Sequence, residues 1–202
     1  LLNIGEDWYI FYHRQTDRHS YSRQACAEKL ERGPDGGFKQ AEVTSCGLNG
    51  GPLRGEGRYE ARIACDLWSK DGVGRYDGPS PRRRLRAHPY FTQTGGDREG
   101  EGDQYIANMR DGAVAGFKYF DIRRLDAISV ELSGMAQGEF LISDRPGSQA
   151  VAARVPVALS GGRAELSAPC RLDAGVRALY FEFRGTGSVD FHSFTLDGAA
   201  ER

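Results

Sequence analysis

From Pro89 to the end, short runs of β-branched and aromatic residues recur about every 10 residues, with glycine or proline between most of them. The runs are residues 90–94, 104–109, 115–121, 127–133, 138–143, 150–157, 164–166, 178–184 and 188–196. A chain written this way has no stretch for a long helix. Its strands bury one face each, so they must close into a sandwich or barrel. The 27 glycines supply the turns. The expectation is an all-β fold, an antiparallel, jelly-roll-like β-sandwich.

Before residue 55 the pattern differs. "WYIFYHR", residues 8–14, is a dense aromatic strand almost at the start of the chain. Glu6-Asp7 reads as a turn before it. Residues 21–30 form a second candidate strand. "PDGG" at 34–37 is a turn signal, and residues 38–44 alternate as a third strand should. Three strands leave one face uncovered. "GLNGGPLRGEG", residues 47–57, reads as a linker, residues 59–67 as another strand, and the polar stretch 69–88 as a long loop. The division expected is 1–54 and 55–202. The chain begins without methionine or a signal-like segment, so truncation of a longer protein is the expectation and the compartment is left open.

Net charge is -1, so no overall field draws the chain to nucleic acid or to a membrane, and the apolar runs are too short to span a bilayer. "PRRRLR" at 81–86 reads as a solvated loop. Cys26, Cys46, Cys65 and Cys170 form no CxxC pair, which argues against zinc and for free, buried thiols.

Two resemblances follow. "WYIFYHRQT…YSRQACAEKLE…PDGGFKQAEVTSCGLNGGPL" resembles the last part of the catalytic domain in glycoside hydrolase family 43, whose members are five-bladed β-propellers. That implies a three-stranded remnant of the last blade, with four blades missing from the chain. "QYIANMRDGAVAGFKYFDI", "GEFLISD" and "ALYFEFRGTGSVDFHSFTL" resemble a family 6-like carbohydrate-binding module, a sandwich often fused behind such enzymes.

The resemblance places the catalytic base, acid and orienting aspartate on earlier blades, so no catalytic residue is assigned and the chain alone is expected to be inactive. His13 of "FYH" and Arg23 of "YSRQ" match positions that face the substrate pocket in the family. In the module, Tyr105 matches a stacking tyrosine. The positions of the partner tryptophan and asparagine fall near Arg163 or Ala164 and on Ser188, so the usual cleft has lost its largest stacking surface. Trp68, Tyr76, Tyr90, Phe117 and Tyr119 are candidates for a second site on a sheet face. The resemblance also implies a structural Ca2+, with Asp190 and the first-strand residues Glu60 and Asp66 as candidate ligands. The acidic loop Asp97, Glu99, Glu101 and Asp103 offers further carboxylates.

The parent would act on xylose- or arabinose-containing plant polysaccharide, as a xylosidase or arabinofuranosidase. The partners implied are xylan- or arabinan-like oligosaccharide or polysaccharide, the missing blades, and a homodimer that covers the exposed aromatic edge. The alternative reading makes the sandwich a structural brace on the propeller that binds no glycan of its own.

Overall fold

The stretch "ARVPVALS" buries every second side chain. Ala153, Val155, Val157 and Leu159 point inward while Arg154, Pro156, Ala158 and Ser160 face solvent. That period of two is what a strand at the wall of a sandwich requires. It belongs to β11 (Ala153–Pro169) in a computed structural model that describes residues 1–17, 19–70, 87–95, 102–147 and 150–198.

The main sheet system has nine strands. β10 (Ala127–Ser143) lies between β11 and β12 (Gly175–Asp197), antiparallel to both. β12 continues to β8 (Gln104–Met109), and β8 to β7 (Tyr90–Gln93). β12 also pairs with β5 (Gly57–Glu60) and β9 (Ala113–Ile122). β9 carries β4 (Leu53–Arg54) in parallel and β6 (Asp66–Trp68) antiparallel. The all-β sandwich expected from the spacing is the fold observed.

A cluster of phenylalanines fills the centre. Phe117, Phe120, Phe140, Phe181, Phe183, Phe191 and Phe194 are all fully buried. Phe117 meets Phe181, Phe191 and Phe194 edge to face, with ring centroids 5.3, 6.1 and 4.8 Å apart. Such offset geometries are the favourable ones for aromatic pairs.

Two bulges shape this core. On β12, Ser193 faces Glu131 while Phe191 faces Leu132, so His192 is an extra residue in the ladder. On β9, Phe120 faces Arg177 while Phe117 faces Leu179, so one of Lys118 and Tyr119 is extra. Each bulge resets the alternation. Phe191 and Phe194, and likewise Phe117 and Phe120, therefore both point inward although three residues apart.

The sheet at the chain start contains β1 (Leu2–Ile4), β2 (Asp7–Thr16) and β3 (His19–Leu30) in that order. Its third strand is Leu2–Ile4, not residues 38–44. The latter make only an isolated bridge, Arg32 to Phe38, and then run irregularly, because their polar groups bond elsewhere. Thr44 donates its N–H and hydroxyl to the buried Glu28 carboxylate, at 2.9 and 2.6 Å, and Ser45 donates its N–H to the Lys118 carbonyl.

Three further expectations are corrected. The runs 127–133 and 138–143 are one strand, as are 150–157 with 164–166, and 178–184 with 188–196. The glycines between them act as corners inside continuous ladders. At Gly187, φ is 82° and an added Cβ would lie 2.0 Å from the Met135 carbonyl, so only glycine fits. Residues 47–57 are seated on the sandwich, through a 3-10 turn at Gly47–Asn49 and the pairing of Leu53 with Phe120. Residues 59–67 break at a 3-10 turn, Ala61–Ile63, which frees backbone carbonyls for the N-terminal sheet.

One face of that sheet meets the sandwich. Arg14 donates to the carbonyls of Arg62 and Ala64, and its guanidinium carbon lies 3.6 Å from the centre of the Phe91 ring. Nearby, Asp17 donates its N–H to the Phe91 carbonyl and accepts from the Thr92 hydroxyl at 3.0 Å. No helix among the described residues is long and apolar enough to cross a membrane.

Candidate functional site

β8 presents Tyr105 beside the β12 bulge, and the bulge turns His192 under it. The two rings lie 4.7 Å apart at 35°. Arg163 comes from β11, just past the Gly161–Gly162 corner, opposite Ser133 in the ladder. One of its N–H groups reaches His192 Nδ1 at 2.9 Å, and it is ion-paired with Asp103. Its other arm reaches Glu131 at 3.4 Å. The residues at the sequence positions Tyr105 and Arg163 thus meet through His192, which the sequence reading had not singled out.

The proton positions follow from the donors. A guanidinium only donates, so Nδ1 accepts, and Nε2 carries the hydrogen and donates to the Ser133 hydroxyl at 2.8 Å. Ser133, His192 and Asp103 have the residue types of a hydrolytic triad. However, the Asp103 carboxylate is 3.8 Å from Nδ1, and Arg163 occupies that nitrogen. With its free lone pair already used, the imidazole cannot act as a base toward Ser133. Burial first, and then the Arg163 charge, hold the His192 pKa below the usual value.

Around Arg163 lies a shallow groove of 340 Å3 lined by Arg58, Glu131, Glu165, Ser193 and Thr195. Glu131 accepts from Arg58 at 2.9 Å and from Ser193 at 2.8 Å. Burial pulls its pKa upward, but those hydrogen bonds and the two arginine charges outweigh it, leaving it below the usual carboxylate value. The surface offers guanidinium forks, a carboxylate and hydroxyls next to a tyrosine ring. That combination suits polyhydroxylated ligands.

Ser188 lies apart. It faces Met135 at the glycine corner of β10 and β12, and among the described residues no hydrogen bond or ion pair links it to Tyr105 or Arg163. Glu60 pairs with Arg62, and Asp66 with Lys118 at 3.1 Å. Asp190 accepts the N–H of Asn108 at 3.0 Å. Among the described residues, no group of three or more His, Cys, Asp or Glu side chains converges to hold a metal.

His13 and Arg23 are exposed on the outer face of the N-terminal sheet. The register places Leu2, Ile4 and Phe11 on that face too, with 52%, 45% and 46% of their surface exposed. Of the second-site aromatics, Phe117 is core, Trp68 packs on Tyr180 at 6.0 Å, and Tyr90 is half-buried in β7. Tyr119 donates to Glu42. Tyr76, the run 81–86, Asp97, Glu99 and Glu101 lie outside the described residues. All four cysteines are free thiols, with Cys170 buried and the others half-buried.

His192, Asp103 and Glu131 complete the cluster. His192 leaves one trace in the sequence, the broken alternation of "DFHSFTL", where two core phenylalanines stand three residues apart; Asp103 was named only as an acidic-loop carboxylate, and Glu131 was not named.

No family model matches the chain. A xylosidase/arabinosidase of Thermoclostridium stercorarium is 40% identical over 197 residues, which is 97% of this chain and 41% of the relative. Among solved structures, the chain is similar to a glycoside hydrolase family 43 arabinoxylan arabinofuranohydrolase from Bacillus subtilis, in complex with cellotetraose. The TM-score is 0.63 at 15% identity, covering 98% of this chain and 40% of that one. CsCBM6-3 from Clostridium stercorarium, in complex with cellobiose, matches with a TM-score of 0.56 at 14% identity over 74% of this chain and 99% of that one. A family 6 carbohydrate-binding module from Clostridium cellulolyticum, in complex with xylose, matches with a TM-score of 0.54 at 12% identity over 72% and 99%. The chain spans about two fifths of the length of the two enzymes.

Proposed function

We propose that this chain, which has the makeup of the C-terminal region of a family 43-like glycoside hydrolase with a family 6-like carbohydrate-binding sandwich, is the accessory glycan-binding region of an enzyme acting on xylose- and arabinose-containing plant polysaccharide. The observation that carries the reading is the 40% identity to a xylosidase/arabinosidase across 97% of the chain. The sandwich fold it shares with family 6 modules supports a binding role over a purely structural brace.

Binding falls to Tyr105 and the Arg163 cluster. The tyrosine ring meets a pyranose face, while the Arg163 fork and Glu131 bond its hydroxyls. A sugar here must displace part of the Arg163–Asp103 ion pair, so affinity is modest. The N-terminal sheet, by its resemblance to a last propeller blade, turns its outer face of Leu2, Ile4 and Phe11 toward the rest of the parent enzyme. His13 and Arg23 lie on that same face, where the parent's substrate pocket would use them. Self-association through this face is the alternative when the rest of the enzyme is missing.

Calcium remains part of this reading, although Glu60 and Asp66 already face cationic side chains. A melt in calcium against one in chelator tests it. A rise in Tm that Asp190→Asn removes would assign the ion to that carboxylate.

The deciding experiment is calorimetric titration with xylotetraose and arabinotriose. Saturable heat that Tyr105→Ala weakens by about 1–3 kcal/mol, as for other ring-stacking platforms, is the expected result. A folded chain giving no heat with either sugar overturns the binding role and leaves the brace.

A further inference from the structure

A pocket larger than the Arg163 groove lies elsewhere, at the seam between the N-terminal sheet and the sandwich. It measures 440 Å3, within the roughly 300–1,000 Å3 typical of small-molecule sites. Four stretches of chain build it, one of them residues 46–52 with Gly50, Gly51 and Pro52. The end of β3 gives Glu28 and Lys29, and Glu31 follows just beyond it. The irregular stretch after the "PDGG" turn gives Gln40, Glu42 and Thr44. The bulge of β9 gives Tyr119.

The bulge explains why a tyrosine stands there. Phe117 and Phe120 both turn into the core, so Lys118 and Tyr119 both turn outward. Glu42 holds them in place. It accepts from the Tyr119 hydroxyl at 3.0 and 3.1 Å and from Lys118 Nζ at 3.2 Å. The floor is fixed by Glu28, whose buried carboxylate accepts from Thr44 and from the Tyr12 hydroxyl at 2.9 Å.

The lining selects a chemistry. Three carboxylates (Glu28, Glu31, Glu42) and two ammonium groups (Lys29, Lys39) share the wall, but Glu28 is taken up by Thr44 and Tyr12, and Glu42 by Lys118 and Tyr119, so neither an anion nor a cation is strongly selected. The Lys39–Glu31 pair is largely exposed and free to exchange its partner for a ligand hydroxyl. Tyr119 and Pro52 add apolar surface, while Gly50 and Gly51 leave bare backbone at the rim. A neutral ligand that both donates and accepts, and carries apolar C–H faces, fits this wall. Sugars have that character.

We propose that this seam pocket is a second glycan-binding site, taking one or two neutral sugar units of an oligosaccharide. It rests on the carbohydrate-binding reading above but uses none of the Tyr105 cluster. Because its walls come from both sheets, the ligand also ties the N-terminal sheet to the sandwich.

Gly51 allows a clean test. Its φ is not in the left-handed region, and an added Cβ there meets nothing within 4 Å, so Gly51→Phe sets a ring at the pocket wall without straining the backbone. Amide correlation spectra of the whole chain are recorded during titration with xylotetraose and with arabinotriose. The expected result is saturable shifts at Gly50, Gly51 and Tyr119. Gly51→Phe should weaken them about tenfold or more, while Tyr105→Ala leaves them unchanged. Shifts confined to Tyr105, Asp103 and His192 would overturn the seam site and leave the binding reading standing. No shift anywhere in the folded chain would overturn both. If Gly51→Phe fails to fold, the map of shifts on the unaltered chain decides alone.

Discussion

The Arg14 guanidinium stacks 3.6 Å from the centre of the Phe91 ring while its N–H groups bond the Arg62 and Ala64 carbonyls. One side chain thereby couples the N-terminal sheet to the sandwich. Three effects act together there: a desolvated cation–π contact and two hydrogen bonds from a charged donor.

Arg14→Ala should cost about 2–4 kcal/mol, since a desolvated cation–π contact is worth about 2 and the two carbonyls lose a charged donor. Urea denaturation measures the loss. Hydrogen exchange should also show β2 and β3 losing protection while β10 keeps its own. Equal loss in both sheets would mean that Arg14 does not act at the seam.

Phe117 lies inside the phenylalanine cluster with no exposed surface. Phe117→Ala leaves a cavity that surrounding rings cannot fill, and should cost about 3–5 kcal/mol in urea denaturation. Phe117→Leu should cost less, because most of the volume stays.

Gly187 and Gly161 separate two uses of glycine. Both have positive φ, 82° and 106°, but an added Cβ at Gly187 strikes the Met135 carbonyl at 2.0 Å while Gly161 opens to solvent. Gly161→Ala should cost about 1 kcal/mol from backbone strain. Gly187→Ala should cost more than about 2 kcal/mol, because the β10–β12 corner must also move apart. Thermal melts of the two variants check the order.

His192 predicts an acid-side loss of stability. Burial and the Arg163 charge lower its pKa in the fold, and burial lowers that of His88. The unfolded chain takes the proton near the ordinary value of about 6.5, and the folded chain resists it. Stability is therefore full above about 6.5 and falls as pH drops below that value toward the folded pKa. The urea midpoint should fall between pH 7.5 and 5.5, and His192→Gln should flatten the fall. An unchanged slope in that variant would assign the effect to His88.

Burial pushes the Cys65 and Cys170 thiols up to about 11. The thiolate is the reactive form, so at pH 8 both should be alkylated far more slowly than a free cysteine. Mass spectrometry over time, with and without urea, reads the rates. Rapid labelling of Cys170 in the folded chain would contradict its burial.

Much of this was legible beforehand. The recurrence of strands about every 10 residues led directly to a sandwich, and Tyr105 and Arg163 were named through the resemblance to a family 6-like module. Other parts were not legible. The glycine pairs at 161–162 and around 185–187 have the composition of loop turns, and nothing local distinguishes a turn that ends a strand from a corner that bends one. Residues 38–44 alternate as a strand does, yet their hydrogen bonds go to Glu28 and Lys118, partners at other points of the chain.

What the sequence determined by itself was the class of fold, because the spacing of apolar residues decides which faces can be buried whatever the order of strands. The tertiary structure decided which residues meet. His192 joins Tyr105 to Arg163 only because a bulge inserts it into the β12 ladder, and Tyr119 reaches the seam only because another bulge turns it out of β9. Both bulges exist so that pairs of phenylalanines three residues apart can enter one core. That is a packing condition imposed by the opposite wall; a short window such as "DFHSFTL" shows the spacing but not the partners that the bulge brings together.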